Sequence, residues 1–175
     1  ALIGINIFKL ISLNYNFNLL SVALAGSLIP YLWFNLTKST KSKIFLGDSG
    51  SLFLGYCVAF LLLYETQVEK NISPPFALWI ISIPIFDVIC VMVFRLKNSQ
   101  QLFVPDRNHL HHFLQKLGFT SIKVLILIIV FSLSLLLLAL IIEIHLRTLS
   151  FPIFLSFLFG YIWLRILFSN LKINI

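Results

Sequence analysis

Three histidines follow an aspartate and an arginine in one short stretch of this sequence: Asp106, Arg107, His109, His111 and His112. An imidazole can move a proton, donate a hydrogen bond to a phosphate or bind a metal ion. On a helix, His109 and His112 share one face, but a zinc site would need a third ligand in closed geometry. The alternative is a solvated basic helix that faces lipid head groups.

A second candidate site is the string Gly47-Asp48-Ser49-Gly50-Ser51, which precedes an apolar segment. The glycines free the backbone at a turn. The Asp48 carboxylate is a suitable oxygen ligand for Mg²⁺ beside a phosphate at a helix N-terminus. Alternatively, Asp48 or Ser49 only caps the helix. A serine-protease motif fits poorly, because Ser51 replaces its last glycine.

A third candidate is Asp87, which lies inside an apolar segment three residues after Pro84. A carboxylate at bilayer depth costs about 2.5–3.5 kcal/mol on insertion scales, so it is interpreted first as functional. Arg95 is about 12 Å further along a helix axis, so we expect another arginine or a cavity as the partner of Asp87. The alternative is a structural hydrogen bond to a neighbouring helix at a kink caused by Pro84.

The composition indicates the elements that position these residues. Of 175 residues, 59% are hydrophobic and 11% are charged, which excludes an ordinary soluble domain and a disordered chain. We predict an all-α, polytopic membrane bundle of about six transmembrane helices, since backbone polar groups in lipid must be satisfied within helices. The apolar segments are 1–13, 17–36, 51–65, 75–96, 122–142 and 150–169.

A short amphipathic helix is predicted over 106–117, lying in the membrane interface. Pro105 and Asp106 supply a turn and an N-cap, and Gly118 is a suitable C-cap. The residues that form its apolar stripe are Leu110, Phe113, Leu114 and Leu117.

The charge distribution predicts the orientation. The net charge is +7, but the basic residues are scattered between apolar runs, so we expect no nucleic-acid partner. Ten of the 13 Lys and Arg residues fall within or next to the loops 37–50 and 97–121, from Lys38 to Lys43 and from Arg95 to Lys123, or near the end of the last span. This distribution places those loops and the C-terminus in the cytoplasm. Cys57 and Cys90 lie in apolar runs and are interpreted as core residues.

Six short strings of the sequence together carry a resemblance to a known family, in their residues, order and spacing. They are 44–51, 77–80, 84–87, 95–96, 103–112 and 118–120. In these strings the sequence resembles the polyprenyl-phosphate N-acetylhexosamine-1-phosphate transferases (glycosyltransferase family 4). The most similar branch is that of the bacterial undecaprenyl-phosphate N-acetylglucosaminyl-1-phosphate transferases, the WecA/TagO type, related to MraY.

The resemblance implies transfer of a sugar-1-phosphate, with N-acetylglucosamine as the expected sugar, from a UDP-N-acetylhexosamine to undecaprenyl phosphate. UMP is released, as the first step of cell-envelope polysaccharide synthesis such as that of O-antigen. It implies Mg²⁺, with Mn²⁺ as an alternative, bound by Asp48. The membrane lipid is a partner and a homodimer is possible. The location implied is the bacterial inner membrane, with the active site on the cytoplasmic side.

The resemblance also assigns the other site residues. His109, His111 and His112 match the family's histidine motif at the nucleotide-sugar diphosphate, and Asp87 joins this catalytic group with its role open. The residues assigned to substrate binding are Arg95 and Arg107 as phosphate clamps, together with Asp106, Gly47 and Ser49.

Two motifs of the family are absent, an Asp-Asp pair and an Asn-x-x-Asp-Gly string. We therefore expect this chain to be the C-terminal half of a transferase of about eleven spans, inactive by itself. The alternative is an inactive or partner-requiring half-protein of the same membrane family. A transporter is disfavoured, because only Asp87 lies deep in a span.

Overall fold

The computed structural model describes residues 2, 4–6, 19–36, 44, 46–99, 101 and 109–172. These residues form helices and short connections without a strand, so the predicted all-α fold is confirmed. The helices are α1 (Leu19–Leu36), α2 (Gly47–Leu63), α3 (Pro74–Ile80), α4 (Ser82–Lys97), α5 (Leu110–Lys116), α6 (Ser121–His145) and α7 (Ser150–Lys172). A π-helical turn, Tyr64–Val68, extends α2, and a 3-10 turn, Arg147–Leu149, precedes α7.

Three helical stretches of the described residues are long and apolar enough to cross a membrane, as expected of a membrane protein. They are Gly47–Val68, Ser121–His145 and Arg147–Phe168. They correspond to the predicted segments 51–65, 122–142 and 150–169. The predicted segment 17–36 corresponds to α1, which is apolar but shorter, and most of segment 1–13 lies outside the described residues.

The predicted segment 75–96 is divided in the structure into α3 and α4, whose axes are bent by 79°. The break falls at Ile81, which has φ −110° and ψ 24°. In an unbroken helix the residue at position 84 would donate its N–H to the carbonyl of Ile80. Pro84 has no N–H, and its ring would clash with that carbonyl. Within α4, Pro84 occupies the first turn, where the missing donor costs little.

The chain divides into two compact units, Ala1–Ala77 and Leu78–Ile175. In the first unit, polar side chains within apolar surroundings are hydrogen-bonded to one another. The Ser21 hydroxyl donates to Asn6 Oδ1 at 3.1 Å, and Asn71 Nδ2 donates to the buried Glu65 carboxylate at 3.0 Å. Such pairing is what buried polar groups in a membrane protein require.

The core of the second unit is a group of aromatic side chains. Trp79 of α3 packs edge-on against Phe154 of α7, with ring centroids 5.3 Å apart, and Phe86 of α4 packs against the same ring at 5.2 Å. Phe86 also contacts Tyr161, at 5.7 Å. These contacts fix α4 against α7, and they hold the backbone on which Asp87, the next residue, is carried.

The short helix predicted near 106–117 is present as α5, Leu110–Lys116. The helix begins later than predicted, at Leu110, because His109 and not Asp106 is its N-cap residue. Pro105 and Asp106 lie outside the described residues. Gly118, with φ +93°, follows its C-terminal end, as predicted. A helix of seven residues is not stable alone, so its position depends on contacts with other helices.

The aromatic core gives a direct test of the packing in the second unit. Replacing Phe154 with alanine removes the ring that contacts both Trp79 and Phe86, so we expect a loss of roughly 3 kcal/mol in stability. Thermal unfolding of the purified protein in detergent, compared with wild type, measures it. The matched control is Phe159→Ala in the same helix, where the side chain is 67% exposed and the change should be within about 0.5 kcal/mol. Equal effects of both substitutions would contradict the assigned core.

Candidate functional site

Asp87 is joined by hydrogen bonds to the N-terminal end of α5. Its Oδ2 lies 3.0 Å from His109 Nδ1, and its Oδ1 accepts the backbone N–H of Leu110 at 2.7 Å. The side chains of Asp87 and His109 are 15% and 37% exposed. The partners of Asp87 are therefore a histidine and a backbone amide at the start of a neighbouring helix, as the structural alternative predicted, and not an arginine.

This arrangement selects one tautomer of His109. A carboxylate offers only acceptors, so the hydrogen of the short contact must be on Nδ1 of the imidazole. The other ring nitrogen, Nε2, then presents a lone pair or, in the imidazolium form, a second N–H. A neighbouring carboxylate is a common means of fixing both the tautomer and the orientation of a histidine ring.

The same carboxylate caps α5 from a different helix. Leu110 is the first residue of α5, and its N–H has no acceptor within the helix. His109 is the N-cap residue, with φ −60° and ψ 156°, and its own side chain makes no capping bond. Asp87 supplies the acceptor instead. One side chain thus determines both the ring of His109 and the starting point of the helix that follows.

The three histidine rings form a cluster at the N-terminal end of α5. The rings of His109 and His111 are nearly parallel, at 9°, with centroids 6.1 Å apart, and those of His111 and His112 are 4.0 Å apart. The pKa of His111 is lowered from its ordinary value. Partial burial of the ring is the largest cause, followed by the charges of His112 and His109, while Asp87 acts in the opposite direction. This shift favours the neutral form of His111.

The N-terminal end of the histidine helix α5 is joined to α4 at Asp87. Asp87 precedes Lys97, the last residue of α4, by ten residues, or about 15 Å of helix. Further along α5, Phe113 packs against Phe168 of α7, with ring centroids 6.5 Å apart. The histidines are thus carried by a helix that contacts both α4 and α7.

In the first unit, Gly47 and Gly50 lie on either side of Asp48, and a side chain is disfavoured at each of them for a different physical reason. Gly47 begins α2 with φ +69°, a left-handed conformation that a side chain disfavours. At Gly50, a Cβ atom would lie 2.8 Å from Leu46 Cγ. The string therefore forms a tight entry into α2 with Asp48 in its first turn.

The structure does not support the alternative in which Asp48 or Ser49 serves only as a helix cap. The N-cap residue of α2 is Leu46, and no side chain caps it. The hydroxyl of Ser51 donates to the backbone carbonyl of Asp48 at 2.9 Å. The side chains of Asp48 and Ser49 are exposed, and the metal-binding role of Asp48 stays a prediction.

The donor chemistry at Asp48 fits a magnesium ion. Mg²⁺ usually keeps several waters and binds one or two carboxylates together with substrate phosphates. One exposed carboxylate in the first turn of a helix is suited to this mode. Within the part of the chain that the structure describes, no group of three or more His, Cys, Asp or Glu side chains could hold a metal ion, so a site made of protein ligands alone is not found there.

The remaining predicted site residues fall into two groups. Arg95 is buried on α4, eight residues after Asp87, or about 12 Å along the axis. Arg107 and Asp106 lie outside the described residues. The structure therefore brings together Asp87, His109, His111 and His112, and it places Gly47, Asp48 and Ser49 at the start of α2 in the first unit.

Sequence reasoning missed Arg165, which was counted only as a loop charge. It lies within α7 and is 6% exposed, with its guanidinium carbon 4.1 Å from the ring centroid of Phe113 in the histidine helix. The available signal was its position inside a predicted apolar span, because an ionisable residue there is interpreted first as functional.

Comparison with known proteins agrees with the motifs. Residues 1–66 match the family described as Glycosyl transferase family 4. Two enterobacterial proteins named undecaprenyl-phosphate alpha-N-acetylglucosaminyl 1-phosphate transferase are similar over 107 residues. The protein of Salmonella typhi is 41% identical and that of Escherichia coli K12 is 40% identical, each alignment covering 60% of this chain and 29% of the relative.

A protein of the same name from Pasteurella multocida is 39% identical over 110 residues, covering 61% of this chain and 31% of the relative. The matched region thus spans about three tenths of the length of these relatives. No solved structure matches the chain. These matches confirm the resemblance predicted from the sequence: the chain is similar to the glycosyl transferase family 4 proteins, and the match to that family covers its first 66 residues.

Proposed function

We propose that the protein containing this chain transfers N-acetylglucosamine-1-phosphate from UDP-N-acetylglucosamine to undecaprenyl phosphate. An oxygen of the acceptor phosphate forms a bond to the sugar-linked phosphorus of the donor. The bond from that phosphorus to the bridging oxygen breaks, and the oxygen leaves with UMP. The names of the relatives support this reaction, and the observation that carries it is the pairing of Asp87 with His109.

Phosphoryl transfer needs mainly positioning and neutralisation of charge. The structure provides positioning at the histidines, because Asp87 fixes the ring of His109 and the first residue of α5. We propose that His109 in its imidazolium form, in which Nε2 carries an N–H, and the rings of His111 and His112 bind the diphosphate of the donor. A neutral imidazole, the form that the lowered pKa of His111 favours, can donate one hydrogen bond to a phosphoryl oxygen.

The metal ion is assigned to Asp48. We propose that the Asp48 carboxylate binds Mg²⁺, with Mn²⁺ as a possible substitute. When bound, the ion would neutralise negative charge on the diphosphate and on the departing UMP. Gly47 keeps the backbone turn that presents Asp48, and Ser49 is proposed to contact the substrate beside it.

The basic residues complete the proposed assignments. We propose that Arg95 and Arg107 bind phosphate oxygens, since guanidinium groups match phosphates in geometry and charge, and that Asp106 contacts the substrate as well. The acceptor is a lipid, which agrees with the apolar helices. The excess of lysine and arginine in the loops 37–50 and 97–121 supports a cytoplasmic site in a bacterial inner membrane.

Replacing Asp48 with asparagine tests the metal assignment. The amide keeps the shape of the side chain but loses the negative charge that attracts Mg²⁺, so Mg²⁺-dependent UMP release from UDP-N-acetylglucosamine should fall by at least about 100-fold. A release assay on membranes with the full-length protein measures it. The control is Glu69→Gln, another exposed acidic residue of the first unit, which should keep wild-type activity. Wild-type turnover in Asp48→Asn would remove Asp48 from the metal site.

Replacing Asp87 with asparagine tests the histidine anchor. Both partners of Asp87 are donors in the wild type. An amide has one accepting oxygen, which can keep the bond to Leu110, while its NH₂ group would favour the His109 tautomer with the hydrogen on Nε2. We expect kcat to fall about 10- to 100-fold, as for residues that orient a functional histidine, with KM for the donor little changed.

A double variant distinguishes an indirect role of Asp87 from a direct one. If Asp87 acts through His109, the pair Asp87→Asn and His109→Asn should be no slower than His109→Asn alone. Independent, multiplying losses in the double variant would show that Asp87 acts separately from His109.

A further inference from the structure

We propose that Arg165 of the last helix is a positioning residue that sets the orientation of the histidine helix α5 through the ring of Phe113. Its consequence for catalysis rests on the function proposed above, whereas the contact itself can be tested without it. Arg165 lies outside all the strings that resemble the family. The proposal therefore rests on its place in the fold.

The geometry is that of a cation on an aromatic face. The guanidinium carbon of Arg165 lies 4.1 Å from the ring centroid of Phe113, well inside the range of about 6 Å in which this attraction acts. Arg165 is 6% exposed, so little water competes for its charge. The ring of Phe168, one turn further along α7, meets Phe113 at 65°. Arg165 and Phe168 together hold the Phe113 ring.

This contact complements the one at Asp87. Asp87 fixes the first residue of α5, and Phe113 follows that residue by three positions, nearly one turn later. A helix held only at its end can still rotate and tilt. A second attachment on its side fixes the direction in which His111 and His112 project. Because α5 has only seven residues, its own hydrogen bonds cannot supply that rigidity.

The position of Arg165 also ties α5 to the core. Tyr161, one turn before Arg165 on α7, packs against Phe86 of α4 with ring centroids 5.7 Å apart. An arginine inside an apolar helix is costly to place in a membrane, and a planar guanidinium that stacks on a ring is a use that lysine fulfils less well. The arrangement therefore fits a positional role for this arginine.

Hydrogen exchange of the α5 amides in the full-length protein tests the contact without any activity. In Arg165→Met, the Phe113 and Leu117 amides, which are bonded within α5, should exchange about tenfold faster, while α6 stays as in wild type. Arg165→Lys should restore part of the protection. The matched control is Arg147→Met, an exposed arginine that pairs with Glu143, which should leave α5 unchanged. Unchanged exchange of α5 in Arg165→Met would overturn the proposal.

A second variant keeps the test decisive if Arg165→Met disturbs the whole bundle. Phe113→Leu removes the ring and leaves the charge, and it should loosen α5 by a similar factor. The double variant should be no looser than the more affected single variant, because both changes remove one interaction. Effects that multiply in the double variant would show that the two residues do not act through each other.

Kinetics then separate positioning from mere stability. With the full-length enzyme we expect Arg165→Met to lower kcat about tenfold and to leave KM for UDP-N-acetylglucosamine within about twofold, since misplaced groups act mainly on the reacting complex. Arg165→Lys should recover part of kcat. Loss of α5 protection with unchanged kcat would overturn the catalytic part of the proposal. If wild type releases no UMP at all, the proposed function fails, and the exchange result still decides the contact.

Discussion

A carboxylate within an apolar helix must find hydrogen-bond donors, and this requirement at Asp87 organises the second unit of the chain. Leaving such a group without partners in an apolar environment is costly. Asp87 obtains two donors from one neighbouring segment, the ring of His109 and the amide of Leu110. The same two bonds define where the histidine helix begins and which nitrogen of His109 is presented. The hydrogen bonds that Asp87 needs as a carboxylate in an apolar helix are therefore the same bonds that orient the ring of His109.

The surrounding elements make that arrangement rigid. Pro84 breaks the helix at Ile81, between α3 and α4, so that α4 begins at Ser82, shortly before Asp87. The aromatic contacts of Phe86 fix α4 against α7, and α7 in turn places Arg165 on the histidine helix. The histidine helix α5 has only seven residues and is not stable alone. It is held by the longer helices α4 and α7. This division between a stable scaffold and a short attached element is typical of functional sites.

Local patterns in the sequence predicted much of this. Apolar runs indicated α2, α6 and α7 within a few residues, and the glycines around Asp48 indicated the tight turn that begins α2. The stripe from Leu110 to Leu117 indicated α5. The partner of Asp87 could not be predicted, because His109 is 22 residues away along the chain and a helical pattern contains no information on which helices meet. The contact of Arg165 with Phe113 could not be predicted for the same reason, since it joins residues 52 positions apart.

The tautomer of His109 is the most direct measure of the central interaction. Ring nitrogen NMR of ¹⁵N-histidine-labelled full-length protein, with the His109 signals assigned by their loss in His109→Asn, reports which nitrogen carries the hydrogen near neutral pH. The hydrogen bond to Asp87 predicts that Nδ1 carries it in wild type and that this preference weakens in Asp87→Asn. A hydrogen held on Nε2 alone in wild type, or a tautomer unaffected by Asp87→Asn, would contradict the account.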